Sequence, residues 1–171
     1  MGTAAMGEMG NWDNFYMLTG GTAGTLIGLI FVVITLGMEH GKPGDQDRTR
    51  IFVTPILVQF GTVLVVALAS MAPLSAMTRA IVLGLIGCAG LAYVTNLAIV
   101  ARRRSDLEER ELLWDALLPI AAYIFLAIGA AAWALSASFA DEFTAIAAVF
   151  LLIIGVRNSW AITLAIGARR K

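Results

Sequence analysis

Five long apolar runs separated by short polar connections dominate the sequence and most constrain its fold. The runs cover residues 15–38, 51–72, 79–101, 116–137 and 144–168. A helix of about 20 residues, rising about 1.5 Å per residue, crosses the ~30 Å hydrocarbon layer of a bilayer. The runs lack the polar and apolar alternation of barrel strands, and backbone groups in lipid must pair within their own segment. We therefore predict an all-α integral membrane protein, a single domain over residues 1–171 built as a bundle of five transmembrane helices.

Composition places the chain in lipid and excludes one class of partner. Hydrophobic residues make up 59% of the chain and charged residues 14%, which leaves too little polar surface to coat a soluble globule of 171 residues. The formal net charge is zero, and the Lys and Arg residues stand mostly at the ends of the runs, so no basic face is left for nucleic acid. The lipid bilayer is the expected environment, and we predict no nucleic acid partner and no soluble domain.

The distribution of cations predicts the orientation, because Lys and Arg in short loops remain on the cytoplasmic side. Ten of the twelve cations fall in the first loop, the third loop and the C-terminal tail: Lys42, Arg48, Arg50, Arg102, Arg103, Arg104, Arg110, Arg169, Arg170 and Lys171. Arg79 stands alone at the edge of the second loop. This alternation predicts an outside N-terminus and a cytoplasmic C-terminus in a multi-pass protein of the plasma membrane. The minimal loops favour a prokaryotic source.

Small residues recur every four positions in two of the runs. They are Gly20, Gly24 and Gly28 in the first run and Ala80, Gly84 and Cys88 in the third. Such stripes allow a second helix backbone to approach closely. They fit packing within one chain or between copies. We predict a homo-oligomer, since several copies around an axis enclose a water path more readily than one small bundle.

Arg157 is the one cation near the middle of an apolar run. Counting from the cytoplasmic end places it about 16–18 Å deep, where a charge costs between about 2.5 and more than 10 kcal/mol. Polar side chains of the other runs reach a similar or shallower depth, and the predicted layer consists of Gln59, Tyr93, Asn96, Tyr123, Arg157 and Asn158. No Asp or Glu lies there. We therefore predict that this layer lines a ligand or ion pathway in which the charge of Arg157 lacks a carboxylate partner.

Three interpretations of this layer stay open. Arg157 can hydrogen-bond to Gln59, Tyr93 and helix carbonyls, and so fix how the fifth helix packs. It can instead face a cavity or pore in which an anion or a lipidic headgroup supplies the negative charge. A break in the fifth helix near Gly155 would place Arg157 to Ser159 in an aqueous crevice or against another subunit.

Enzymatic chemistry and cofactor binding find little support in the sequence. The single histidine, His40, lies in a predicted loop, where a lone His is more often a loop residue than a ligand or catalyst. The single cysteine, Cys88, excludes an intrachain disulfide and a thiolate cluster. No serine has a His in a plausible common site. We therefore predict no catalytic residue, no metal and no cofactor.

Taken together, these features predict a small oligomeric membrane channel or transporter with a preference for anions set by Arg157. One alternative is an accessory or scaffold subunit that packs its small-residue stripes against a larger membrane complex. Another is a membrane protein that binds a lipid or quinone-like ligand between its helices.

Overall fold

The protein is all-helical wherever the chain is described. The computed structural model describes the backbone of residues 2–39, 45–103 and 117–168 and the side chains of residues 11–35, 53–100 and 117–160. Within these ranges there are five α-helices and no strand: α1 Gly2–Glu39, α2 Asp45–Met71, α3 Ala76–Arg103, α4 Leu118–Ala134 and α5 Ala140–Ala168. The prediction of an all-helical chain is confirmed. Lys42, Arg104, Arg110, Arg169, Arg170, Lys171 and His40 lie outside the described residues.

Three of the described helices are long and apolar enough to cross a membrane. These segments are Asn11–Thr35 of α1, Val53–Met71 of α2 and Ala76–Val100 of α3. The apolar helix α4 is shorter, with 17 residues, or about 25 Å of rise. The helix α5 has 29 residues and carries Asp141, Glu142 and Arg157 within its length. The sequence therefore encodes helices compatible with a membrane protein.

The helix bounds differ from the limits of the apolar runs. α1 begins at Gly2 and α2 at Asp45, both ahead of their runs, and Pro55 lies inside α2. Hydropathy marks the stretch that fits hydrocarbon, whereas a helix continues until its backbone hydrogen bonds are interrupted. α4 ends at Ala134, short of the run's limit at 137, because Ser136 takes a φ of +52° and turns the chain.

Local signals end one helix and start the next between α2 and α3. Pro73 follows α2 closely and cannot continue its hydrogen-bonding ladder. Ser75 caps α3, since its hydroxyl accepts a hydrogen bond from the Thr78 backbone N–H at 3.1 Å. Pro119 occupies the first turn of α4, where a missing donor costs little.

α2 and α5 form the centre of the bundle. α1 packs against α2, α2 against α5, α5 against α4 and α4 against α3, with smaller contacts from α1 to α5 and from α2 to α3. The fully buried side chains between them include Phe60, Tyr123, Leu126, Leu151 and Ile154. Of the three candidate spans, that of α2 is the most buried, at 56% of its apolar window against 17% for α1 and 28% for α3. Of these three spans, α2 is therefore the one most enclosed by the other helices.

Glycines set the closest helix contacts. A Cβ added at Gly20 would lie 2.8 Å from the Cβ of Ala67, so α1 and α2 touch there. A Cβ at Gly90 would overlap the ring of Tyr123, and one at Gly155 would overlap the ring of Phe60. Gly155 thus makes room for an aromatic ring inside a continuous α5, and the break proposed at this position is not found.

Candidate functional site

The predicted polar layer is partly buried and partly exposed. Tyr123 is fully buried, and its hydroxyl is 3.1 Å from the Thr62 hydroxyl in a hydrogen bond between α4 and α2. Gln59 is 4% exposed, and its Oε1 has no hydrogen-bond partner among the described residues. Tyr93 is half-buried. Asn96 is exposed and donates to Ala92 O of its own helix at 2.9 Å.

Arg157 and Asn158 lie side by side on α5. Both side chains are half-buried, and Arg157 Nη1 donates to Asn158 Oδ1 at 3.5 Å. The next residue, Ser159, donates to Gly155 O one turn earlier, as a helical serine does. The predicted role of Arg157 in an ion pathway stays a prediction.

A second polar arrangement follows one buried face of α2. Gln59, Thr62 and Ser70 are 4%, 8% and 6% exposed, and their spacing places them on one side of the helix. They extend over about 16 Å of the helix axis. We call these three residues the α2 polar face. Of this face, only Gln59 belongs to the polar layer predicted from the sequence, although the spacing of Thr62 and Ser70 is visible in the sequence.

A third arrangement brings together one residue from each of the five described helices. It lies at the end of the bundle where α2 and α4 end and the apolar segment of α1 begins. It consists of Tyr16, Ser70, Arg79, Trp133 and Asp141, which we call the Arg79 cluster. Tyr16 is only 2% exposed, and its hydroxyl donates a hydrogen bond to Asp141 Oδ1 at 3.1 Å. Arg79 Nη2 donates to Ala72 O at 3.2 Å, so the α2–α3 connection is held by this side chain.

The Arg79 guanidinium also covers an aromatic ring. Its Cζ lies 4.4 Å from the centroid of the Trp133 ring, within the range of a cation–π interaction. Arg79 Nε and Trp133 Nε1 are buried and have no hydrogen-bond partner among the described residues. The Ser70 hydroxyl lies beside that of Tyr16, in a geometry that completes no hydrogen bond. Arg79 Nε–H and Trp133 Nε1–H are thus two buried donors of one cluster that find no acceptor among the described residues.

Asp141 is the acidic member of the cluster and stands at the start of α5. Burial raises the pKa of Asp141 above its ordinary value of 3.8, and the charges of Glu142 and Asp13 act in the same direction. The hydrogen bond from Tyr16 and the charge of Arg79 lower the pKa. Arg79 therefore acts on Asp141 through space, although no hydrogen bond or ion pair joins the two side chains among the described contacts.

No sequence pattern predicts a role for this cluster. In the sequence, Arg79 stands out only as the single cation of the second loop. The available signal was that this lone Arg and Asp141 fall in two connections on the same predicted side of the membrane. The partners Tyr16 and Trp133 carried no signal, because aromatic residues at helix ends are common in membrane proteins.

The small-residue stripes face different surroundings. Gly20 packs on α2, while Gly24 and Gly28 have nothing within 4 Å of an added Cβ. In α3, Ala80 is buried and Gly84 lies 3.8 Å from the Cβ of Ala130 when a Cβ is added. Cys88 is exposed. Each stripe therefore begins against a neighbouring helix and ends on an open surface of the described chain.

Neither a search of the described residues for metal ligands nor a comparison with known proteins adds a further site. Within the described residues, no three His, Cys, Asp or Glu side chains are grouped so that they could hold a metal ion. Comparison of the chain with protein-family models, with curated proteins and with solved structures found no match.

Proposed function

We propose that the chain is a five-span protein of the prokaryotic plasma membrane that transports a small polar solute bearing a negative group. The proposal keeps the orientation given by the cations, with the N-terminus outside and the C-terminus in the cytoplasm. It also keeps an oligomeric assembly. The observation that carries it is the α2 polar face, which holds three of the five polar side chains that are buried among the described residues.

Burying polar groups costs free energy unless they gain partners. Gln59, Thr62 and Ser70 lie on the most buried of the candidate spans, where apolar residues would pack without that cost. Two of them meet polar groups of other helices, since Thr62 bonds to Tyr123 and Ser70 lies beside Tyr16. The hydroxyl and amide groups of this face stand at two levels of the bundle interior, Gln59 with Thr62 and then Ser70 about 12 Å further along α2. They offer hydrogen-bond partners at both levels to a solute that leaves water.

The extent of the α2 polar face fits a transport path. The α2 polar face covers about 16 Å of helix axis, roughly half of the ~30 Å hydrocarbon layer. On the neighbouring α5, the half-buried Arg157 and Asn158 add a positive charge and an amide. A cation along the path favours a solute with a negative group over a bare cation.

A transport assay separates this function from a purely structural role of the same hydrogen bonds. Purified protein is reconstituted in liposomes, and uptake of radiolabelled acetate, alanine and chloride is measured. We expect Thr62→Val to lower uptake severalfold, because it removes a hydroxyl of the α2 polar face without changing side-chain volume. Thr25→Val is the matched control, since the exposed Thr25 hydroxyl bonds only to Gly21 O of its own helix.

The outcomes are distinct. Uptake that falls in Thr62→Val and not in Thr25→Val supports the path along α2. Wild-type liposomes that take up none of the three solutes contradict transport, and equal uptake by both variants and the wild type contradicts the path.

The second candidate function is that of an accessory subunit in a larger membrane complex. It is favoured by α1, whose Gly24 and Gly28 face open space and whose apolar window is only 17% buried. Affinity purification from native membranes in mild detergent tests this alternative. A stoichiometric larger partner that Gly24→Leu releases supports the accessory role, and purification of the chain alone contradicts it.

A further inference from the structure

The Arg79 cluster holds opposite charges that no hydrogen bond or ion pair joins among the described contacts. Arg79 bonds to the Ala72 carbonyl and stacks on Trp133, while Asp141 accepts a hydrogen bond from Tyr16. We propose that this cluster binds a small zwitterion of the amino-acid type, with its carboxylate on Arg79 and Trp133 and its ammonium on Asp141. The inference deepens the proposed transport function, on which it rests, by naming the class of solute.

The donor side of the site is built from buried groups. Arg79 Nε–H and Trp133 Nε1–H are covered by protein and have no acceptor among the described residues. The Ser70 side chain, 6% exposed, adds a hydroxyl whose hydrogen bond is also incomplete. Buried donors without acceptors are costly, and a carboxylate with two oxygens satisfies several of them at once.

The acceptor side distinguishes a zwitterion from a simple ion. Asp141 is hydrogen-bonded by a neutral hydroxyl, not by a cation, and Asp13 and Glu142 add negative charge around it. These carboxylates repel a free anion, and Arg79 repels a free cation. A ligand that carries both charges is attracted at both ends.

A ligand can reach the donors of this cluster only if side chains move, because the donor atoms are covered by protein. The Arg79 and Trp133 side chains are each half-buried, although their Nε and Nε1 atoms are covered. Trp133 lies in the last turn of α4, just before the turn at Ser136. Binding therefore requires that the indole rotate away from the guanidinium, which would expose both donors to the ligand.

Calorimetric titration of the purified full chain in detergent tests the site, with L-alanine as the probe. We expect saturable binding, at least tenfold tighter than that of acetate or methylammonium, because each of these carries only half of the charge pair. Trp133→Phe should weaken alanine binding about tenfold or more, as loss of one hydrogen bond to a charged group does. The control is Trp160→Phe, which removes an indole N–H from a side chain that is 65% exposed and should leave affinity unchanged.

Asp141→Asn tests the other end of the ligand. It should weaken alanine binding about tenfold or more while leaving acetate binding unchanged or tighter, since it removes only a negative charge. The proposal is overturned if Trp133→Phe and Trp160→Phe lose the same affinity for alanine. It is also overturned if the wild-type protein binds acetate as tightly as alanine.

A phosphatidylethanolamine headgroup carries the same pair of charges as an amino acid. The titration is therefore repeated in lipid discs of phosphatidylethanolamine and of phosphatidylglycerol. Equal alanine binding in both supports the soluble zwitterion, and loss of binding only with phosphatidylethanolamine overturns it in favour of the lipid. The titrations measure binding and do not depend on transport. Alanine binding in the titration without uptake in the liposomes therefore contradicts the proposed transport and leaves this inference standing. Uptake of acetate or chloride without alanine binding contradicts this inference and leaves transport standing.

Discussion

At the residue scale, the Tyr16–Asp141 pair shows how a polar group is placed in an apolar bundle. The two residues are 125 positions apart in sequence, and their hydrogen bond of 3.1 Å joins α1 to the start of α5. Tyr16 supplies an O–H that satisfies one carboxylate oxygen of Asp141. Burial of the carboxylate opposes its ionisation, whereas this hydrogen bond favours it.

The titration of Asp141 gives a prediction with signs for three variants. Tyr16→Phe and Arg79→Gln should each raise the pKa of Asp141, because each removes an interaction that stabilises the carboxylate. Asp13→Asn should lower the pKa, since it removes a repelling charge. The measurement is ¹³C NMR of the aspartate carboxyl in detergent. A midpoint that moves down in Tyr16→Phe contradicts the hydrogen bond as described.

The same shift has a consequence for stability. The pKa of Asp141 is raised on folding, so the folded state binds more protons than the unfolded state between the ordinary value of 3.8 and the folded pKa. The stabilising contribution of Asp141 to the free energy of unfolding is therefore fully present below the pKa of the unfolded state. It is lost as the pH rises through the pKa of the folded state. Asp141→Asn should abolish this part of the pH dependence in thermal unfolding curves.

At the element scale, glycines decide how the helices approach one another. Gly90 of α3 and Gly155 of α5 each leave room for an aromatic ring, that of Tyr123 and that of Phe60. These rings are fully buried, so each glycine determines where a neighbouring helix can lie. Gly21 of α1, in contrast, has nothing within 4 Å of an added Cβ.

The contrast between Gly90 and Gly21 predicts opposite effects of one substitution. Gly90→Ala should lower the free energy of unfolding by about 1–3 kcal/mol, because the added methyl group overlaps the Tyr123 ring and forces it to move. Gly21→Ala should raise it by up to about 1 kcal/mol, since alanine restricts the unfolded chain and the helix surface is open. Unfolding in mixed micelles measures both values. A Gly90→Ala protein as stable as the wild type would falsify the contact with Tyr123.

At the scale of the whole molecule, the open ends of the two small-residue stripes bear on assembly. Gly24 and Gly28 face away from the bundle, and Cys88 is exposed on α3. In the absence of a hydrophobic driving force between helices in lipid, small residues favour association by close packing. The predicted homo-oligomer is therefore consistent with this surface and remains a prediction.

Light scattering of the protein in mild detergent tests the assembly. We expect a mass above that of one 18.2 kDa chain, and a shift to smaller species in Gly24→Leu, because the larger side chain blocks close approach on α1. Ala89→Leu, at an exposed position of α3, is the control for added bulk alone. A wild-type protein that is monomeric, or a Gly24→Leu oligomer of unchanged size, contradicts assembly through α1.

The sequence by itself determined the helical class and the three apolar helices that are long enough to cross a membrane. Both properties are sums over contiguous residues: apolar side chains set hydropathy, and a helix satisfies its backbone within one segment. Glycine spacing also indicated close packing, as Gly20 against Ala67 shows. The helix ends were less well predicted, because hydropathy does not register where the hydrogen-bonding ladder stops.

Only the tertiary structure decided which polar groups meet. The predicted layer of Gln59, Tyr123 and Asn96 stays a prediction, but the hydrogen bond from Tyr123 to Thr62 and the exposure of Asn96 are visible only in the folded chain. The Arg79 cluster draws one residue from each helix, and its members meet only after every helix has taken its rotation about its own axis. That rotation is fixed by contacts between distant glycines and rings, which no local pattern of the sequence contains.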